Sequence, residues 1–531
     1  MYSEPNEALS HWYSLFKSVL DSHAPLKKRR VKREFIPEWF NSEIQAAIAT
    51  RNHLHRKAVM TNNASNWREY RSARNRVVHL IRNAKRSFYR NSINNNLENP
   101  KNLWRIIRSL APSKCSKLPN HLTIDGLNYH DYYDIANLFN EHFANISSSV
   151  QLNHVSDPPN WERIADYVDS KLPSGVSYCI PPISENFVRS SLQQLSTGKA
   201  TGLDDLSSYF LTTAASSISP SLTAIFHLSI SSGIFPDLWK TAKVSPLHKD
   251  GSLFDRSNYR PISVLAVVSK ILERHVHQTF YYFLSQHELL LDSQFGFRSS
   301  RSCELAIADL SDNILTNMDN KLLNGLLLVD LKKAFDLVDH DTLLNKLRIY
   351  GCSHSTMAWF RSYLSGRSQK TQFRGTLSEA LPVSVGVPQG SIQGPFFFII
   401  HINDLPLALH SDVTSTMFAD DTTILVRGPS ITSVSNQLNE VARTISTWAD
   451  NNRMSLNTTK TKSLLITTLQ KRRTLTSSAL NIQIDGRSIE QVDYAKLLGV
   501  MIDSDMSWEH HIDTICCIIS SRLSLLRRIK P

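Results

Sequence analysis

Two strings of this 531-residue chain carry adjacent or strand-end acids. Ser415–Val426 reads STMFADDTTILV, with apolar and β-branched residues on both sides of Asp420 and Asp421. That pattern predicts two strands joined by a turn bearing both carboxylates. Asp is also an ordinary turn residue, so the pair alone is weak evidence of chemistry. Leu326–His340 reads LLLVDLKKAFDLVDH. Here Leu326–Val329 predicts a buried strand that delivers Asp330 to its end, followed by a turn into a helix beginning near Lys332. If the fold brings Asp330 to Asp420 and Asp421, three like charges crowd together and raise one another's pKa. Divalent cations relieve that repulsion, and hard Mg²⁺ prefers oxygen ligands. Two such ions suit phosphoryl transfer, one activating the attacking oxygen and the other stabilising the leaving one.

A third string, GVPQGSIQGP at Gly386–Pro395, opens an apolar, helix-like run that ends near Asn403-Asp404-Leu405-Pro406. Gly386, Gly390 and Gly394 fall within nine residues of a chain with 17 glycines, which points to positive φ or close approach of a ligand. Gln389 offers both a donor and an acceptor. Lys249 and Arg260 suit a triphosphate, one as a point charge and the other as a fork; alone, each reads as an ordinary surface cation.

The elements that must position these groups lie in a chain of uneven charge. It carries 59 Lys and Arg against 47 Asp and Glu, a formal charge of +12. Between Lys27 and Lys117 there are 22 basic and 5 acidic residues, so the whole positive excess sits in that segment. Nucleic acid is the natural partner for such a stripe. Within it, Trp67, Tyr70, Val77, Ile81, Ala84 and Phe88 recur on one helical face and predict packing. Arg68, Arg71, Arg76, Arg82, Lys85, Arg86 and Arg90 take the other positions, and Arg71, Arg82 and Lys85 are expected to contact phosphates. Lys27-Lys28-Arg29-Arg30-Val31-Lys32-Arg33 also reads as a nuclear-import signal. The six cysteines (115, 179, 303, 352, 516, 517) form no CxxC pair, which argues against a disulfide scaffold or a zinc site. No apolar run reaches the roughly 18–20 residues of a membrane span, and the first residues lack a signal-peptide core. An intracellular protein, in nucleus or cytoplasm, is expected.

Taken in order, NYRPIS (258–263), QFGFR (294–298), VDLKKAFD (329–336), GVPQGS (386–391) and FADD (418–421) resemble the reverse transcriptases of non-LTR, LINE-type, jockey-like retrotransposons. GIFPDLWKTAKVSPLHKDGS (233–252), WADNNRMSLNTTKTK (448–462) and KLLGVMIDSDMSWEHHI (496–512) extend the resemblance. It implies an α+β right-hand polymerase of fingers, palm and thumb behind a basic, mostly helical N-terminal extension. The expected divisions are 1–115 for the extension, 116–232 for the first part of the fingers region, 233–470 for fingers and palm, and 471–531 for the end of the palm and a partial thumb. The resemblance makes Asp330 and Asp420 the metal-binding aspartates with Asp421 beside them, two Mg²⁺ ions the cofactors and Mn²⁺ a substitute. Phe335 gates the sugar 2′ position, Gln389 and Gly390 line the nucleotide and template pocket, and Lys249 and Arg260 meet the triphosphate. Lys460 resembles the lysine that protonates pyrophosphate, with Lys462 a rival. Arg298 and Arg301 either touch template phosphates or solvate the fingers, and Asp336 caps or hydrogen-bonds near the helix start. The implied partners are an RNA template, a DNA primer or target, and dNTPs, in a ribonucleoprotein.

The sequence also departs from the family pattern. Arg301-Ser302-Cys303 stands where R-S-T is usual, Gln393 where a leucine is, and Leu497 where a tyrosine precedes Leu498-Gly499. The residues ahead of the motifs are too few and too basic for the family's endonuclease, so a fragment lacking it is expected. The alternative reading is a catalytically inactive remnant that binds RNA.

Overall fold

The structure is a computed structural model that describes residues 2–25, 37–109, 118–145, 161–475 and 478–527. These fall into two compact units, one of residues 1–24 and 118–510, the other of 25–117 and 511–531. The basic run 27–33 lies outside the described residues. None of the described helices is long and apolar enough to cross a membrane.

The larger unit mixes helices and sheets, as the α+β expectation requires. Its five-stranded sheet has Leu323–Val329 at the centre, flanked by Lys462–Ile466 and Asp421–Gly428, with Glu490–Gln491 and Thr414–Phe418 outermost. All pairings are antiparallel except that of 462–466 with 490–491. Leu323, Leu327 and Val329 share a core with Val434, Leu438, Val441 and Ile445 of helix Ile431–Asn451. Leu326 points to the other face, where it meets Leu310 and Ile314 of helix Cys303–Asp319. Helices on both faces explain why this strand reads as an unbroken apolar run rather than an alternating one.

A second sheet joins Thr241–His248 to Tyr259–Val264 antiparallel and to Arg367–Phe373 parallel. Helix Gln393–Ile402 is buried along its length, as its FFFII run predicts. Fully buried Glu273 caps its start, accepting from the Ile392 amide at 2.8 Å.

Two boundaries differ from the sequence expectation. Helix Pro5–His23 belongs to the larger unit, not to a continuous 1–115 extension. Its Leu9, Trp12 and Tyr13 are buried, and Trp12 and Tyr13 bond to Ser221 and Asp204. After Asp330 the chain makes turns, and the next helix starts at His340 rather than near Lys332. Its cap is Asp339, which accepts from the Thr342 amide at 2.9 Å, so Asp336 does not fill that role.

In the smaller unit, helices Ser42–Thr61 and Ala64–Asn94 pair as a hairpin through left-handed Asn62 and the cap Asn63. His55 of the first helix packs on Trp67 and Tyr70 of the second, with ring centroids 6.1 and 4.8 Å apart. The six residues expected to pack are all at least half-buried, and the seven cations named around them are exposed.

Candidate active site

Asp330 follows the last residue of the central strand, and Asp421 opens the strand beside it. The register pairs Thr422 with Val329, which sets Asp421 next to Asp330 across the ladder. Asp420 occupies the two-residue turn between Phe418 and Asp421, after Ala419 at φ +56°. Strands and turn thus form as the STMFADDTTILV pattern predicts.

Asp420 and Asp421 both reach solvent, and Asp421 lines a cleft together with Asp330. Desolvation by the surrounding protein raises the pKa of both, and repulsion adds to it. Asp330 pushes both up, and Asp420 also raises Asp421. The three carboxylates therefore share one electrostatic site. Two cations oppose the repulsion at Asp420, Arg260 and Lys249. They stand on the hairpin of the second sheet, where Leu247 pairs with Arg260 and the Lys249 amide donates to the Asn258 carbonyl at 2.9 Å.

Among the described residues, no three His, Cys, Asp or Glu side chains form a ready cage for a metal ion. The donor chemistry nevertheless fits Mg²⁺: carboxylate oxygens only, with a repulsion that a bound cation would relieve.

The sequence profile of the family described as "Reverse transcriptase (RNA-dependent DNA polymerase)" matches residues 247–502, a range that holds every acid and cation of this cleft. Over these residues the chain carries a reverse transcriptase domain. It is 24% identical over 91% of its length to the "Probable RNA-directed DNA polymerase from transposon BS" of Drosophila melanogaster, covering 53% of that protein. It is 27% identical over 66% of its length to the "RNA-directed DNA polymerase from mobile element jockey" of the same organism, covering 38% of it. It is also 28% identical over 68% of its length to the "Putative 115 kDa protein in type-1 retrotransposable element R1DM", covering 34%. The chain thus spans about half, or less, of the curated relatives it matches. A second profile, "Female sterile protein K10 C-terminal domain", matches residues 40–101 in the basic hairpin region.

In the reverse transcriptase domain, the GVPQGS loop is threaded between two backbones. A Cβ on Gly386 would sit 2.7 Å from the Asp336 carbonyl oxygen, and one on Gly390 would sit 2.2 Å from that of Ser263. The Ser263 amide donates to the Gln389 carbonyl at 2.8 Å, which ties the loop to the NYRPIS strand. Gln389 Nε2 donates to Asp336 Oδ1 at 2.9 Å. Burial pushes the Asp336 carboxyl up to about 6, against the Gln389 bond and the nearby Lys333 and Arg260 charges. Phe335 stacks on Phe398 with centroids 4.4 Å apart and meets the edge of Phe297 at 6.3 Å.

Lys460 is exposed and lines the same cleft of about 370 Å³ as Asp330 and Asp421. Lys462 lines it too, but its ammonium is paired with Glu490. Arg298 does not line this cleft: its Nη1 donates to the Leu291 carbonyl at 2.6 Å and to that of Gln294 at 3.3 Å. Arg301 pairs with Asp292 at 2.5 Å. Arg71, Arg82 and Lys85 belong to the smaller unit, where Lys85 lies 4.7 Å over the Trp39 ring.

Sequence reasoning missed three supports. Asn457 Nδ2 donates to Asp330 Oδ2 at 2.8 Å, its amide donates to the Asp330 carbonyl at 2.8 Å, and Thr461 Oγ1 accepts from the Asp330 amide at 3.2 Å. Gln294 Oε1 accepts from the Ala419 amide at 3.0 Å and from that of Gly296 at 2.8 Å. A Cβ on Gly296 would meet the Ala419 nitrogen at 2.3 Å. QFGFR and NTTK are visible as strings, but nothing local says that the first holds the Ala419 amide and the second Asp330.

The departures have local accounts. Cys303 is the first residue of helix Cys303–Asp319, behind the cap Ser302, which accepts from the Leu305 amide at 3.2 Å. Gln393 is fully buried and donates to the Glu273 carbonyl at 3.2 Å. Leu497 is buried beside Ile502 in the core under the sheet.

Proposed function

We propose that this chain is an RNA-directed DNA polymerase that extends a primer 3′-hydroxyl with dNTPs on an RNA template, releasing pyrophosphate. The observation that carries this reading is Asp330 beside the Asp420–Asp421 turn, with Lys249 and Arg260 bearing on Asp420. Asp330, Asp420 and Asp421 would hold Mg²⁺, with Mn²⁺ as a substitute. When bound, the ions supply charge stabilisation to the attacking and leaving oxygens of phosphoryl transfer.

The chain's own groups divide the remaining work. Lys249 and Arg260 bind the triphosphate and neutralise its charge. Phe335, held by its stack on Phe398, presents a fixed wall to the sugar 2′ position. Gln389 and Gly390 form the floor beneath nucleotide and template, with Gln389 oriented by Asp336. Lys460 is the candidate proton donor to pyrophosphate, because the Lys462 ammonium already pairs with Glu490. In this reading the two sheets belong to palm (Leu323–Val329 and its neighbours) and fingers (the 241–264 hairpin), with the thumb beginning after the palm. Template RNA would also bind the exposed cations of helix Ala64–Asn94, in an intracellular ribonucleoprotein.

The test is extension of a DNA primer annealed to an RNA template with Mg²⁺ and either dNTPs or NTPs. Extension by dNTPs is expected, and Phe335→Ala should admit NTPs. RNA binding without extension would instead favour the inactive RNA-binding remnant.

A further inference from the structure

Helix Pro100–Ser109, in the smaller unit, presents an unusual arrangement around its circumference. Leu103, Ile106 and Ile107 fall on one side and are half-buried. At about 100° per residue, Trp104, Arg108, Lys101 and Arg105 fall on one contiguous arc of the opposite side. All four are exposed, Trp104 at 44%. An amphipathic helix ordinarily places its largest aromatic on the apolar side, and here the indole stands among cations. Arg522, on helix Glu509–Arg527 of the same unit, covers one part of the ring at 5.5 Å from its centroid. Lys101, Trp104, Arg105, Arg108 and Arg522 line one open cleft of about 710 Å³. Among the described residues, no acidic side chain lines that cleft.

We propose that this cleft binds single-stranded RNA, with an unpaired base stacked on the Trp104 indole and adjacent phosphates held by Lys101, Arg105 and Arg108. The charge of the cleft selects a polyanion, and the exposed ring selects one whose bases are free to stack. A duplex has no unpaired face to offer the indole, so its affinity should not depend on Trp104. The contact is separate from the basic face of helix Ala64–Asn94, which offers cations around an aromatic stripe that is already packed. The inference rests on the reading that this chain handles RNA, but not on polymerisation.

The experiment uses the full chain and a 5′-fluorescein-labelled 20-nucleotide oligouridylate, with binding followed by anisotropy across a salt series. Matched arms use a blunt RNA duplex and a deoxyribo strand of the same length. Trp104→Ala should weaken single-strand RNA binding about tenfold, within the range of losing one stacked base. It should leave duplex affinity and the salt slope as in the parent protein. Trp104→Phe, which keeps a stacking ring and the packing, should recover most of the affinity. Arg105→Ala/Arg108→Ala should flatten the salt slope for both RNAs. Unchanged single-strand affinity in Trp104→Ala would overturn the proposal. So would equal losses on strand and duplex, or failure of Trp104→Phe to recover affinity while it remains folded. Tighter binding of the deoxyribo strand would overturn the assignment to RNA. Loss of primer extension in Asp420→Ala with this binding intact would separate the two readings.

Discussion

Asp330 is held by one short turn: Asn457 grips its carboxylate and its carbonyl, and Thr461 takes its amide. A hydrogen bond to a charged group contributes about 1.5–3 kcal/mol. Asn457→Ala should therefore slow primer extension roughly ten- to a hundredfold, with the unfolding midpoint much less affected. Single-turnover rates beside thermal melts check this; an unchanged rate would contradict the assigned role. Asp336 makes a prediction of opposite sign for stability. Its folded-state pKa is raised from 3.8 to about 6, so charging it costs the folded state above that range. As pH falls through about 6 towards 3.8, the proton binds the folded form more tightly and stability is gained. Asp336→Asn keeps an acceptor for Gln389 and removes the charge. It should raise the melting temperature at pH 8, and that advantage should shrink to about half near pH 5 and vanish only below 3.8. A gain that is the same at both pH values would contradict the assignment.

At the scale of elements, the acid turn depends on a segment far from it in sequence. Gln294 accepts from the Ala419 amide, and Gly296 allows the two backbones to approach so closely that a Cβ would lie 2.3 Å from the Ala419 nitrogen. Ala419, itself at φ +56°, is the turn residue before Asp420. Gly296→Ala should push this turn away, so extension should fall at least tenfold, a loss equivalent to about 1.4 kcal/mol, while far-UV circular dichroism is preserved. Full activity would show that the turn is not held from this side. Much of this site was legible beforehand. The apolar run before Asp330, the β-branched flanks of Asp420-Asp421 and the run after GVPQGS all became the elements their patterns predict. What was not legible depended on distant partners. After Asp330 the sequence predicts a turn into a helix near Lys332, but Lys333 takes a left-handed φ of +44°, and the Phe335 carbonyl is used by the Val387 amide instead. Asp336 is expected to cap or hydrogen-bond near a helix start, and it does hydrogen-bond, but to Gln389, 53 residues away. The apolar face of helix Pro5–His23 gave no sign of which unit it would join.

Over the whole molecule, charge separates two tasks. The acids and Lys249, Arg260 and Lys460 converge within the larger unit, whereas the excess of positive charge lies in the smaller. If RNA meets the exposed Arg71, Arg82 and Lys85 as proposed, the triple alanine variant should flatten the dependence of log affinity on log salt by about 2, from about 0.7 per phosphate contact. A slope equal to the parent's would remove these residues from the interface. The central claim is that Asp330, Asp420 and Asp421 form one polymerase centre. It is tested most directly by Mg²⁺-dependent extension of a DNA primer on an RNA template, comparing the chain with Asp420→Ala/Asp421→Ala at matched RNA binding. The account predicts dNTP-dependent extension that falls by at least about a hundredfold in the variant, in line with the loss of several kcal/mol of charge stabilisation. Extension that survives in the variant would contradict it.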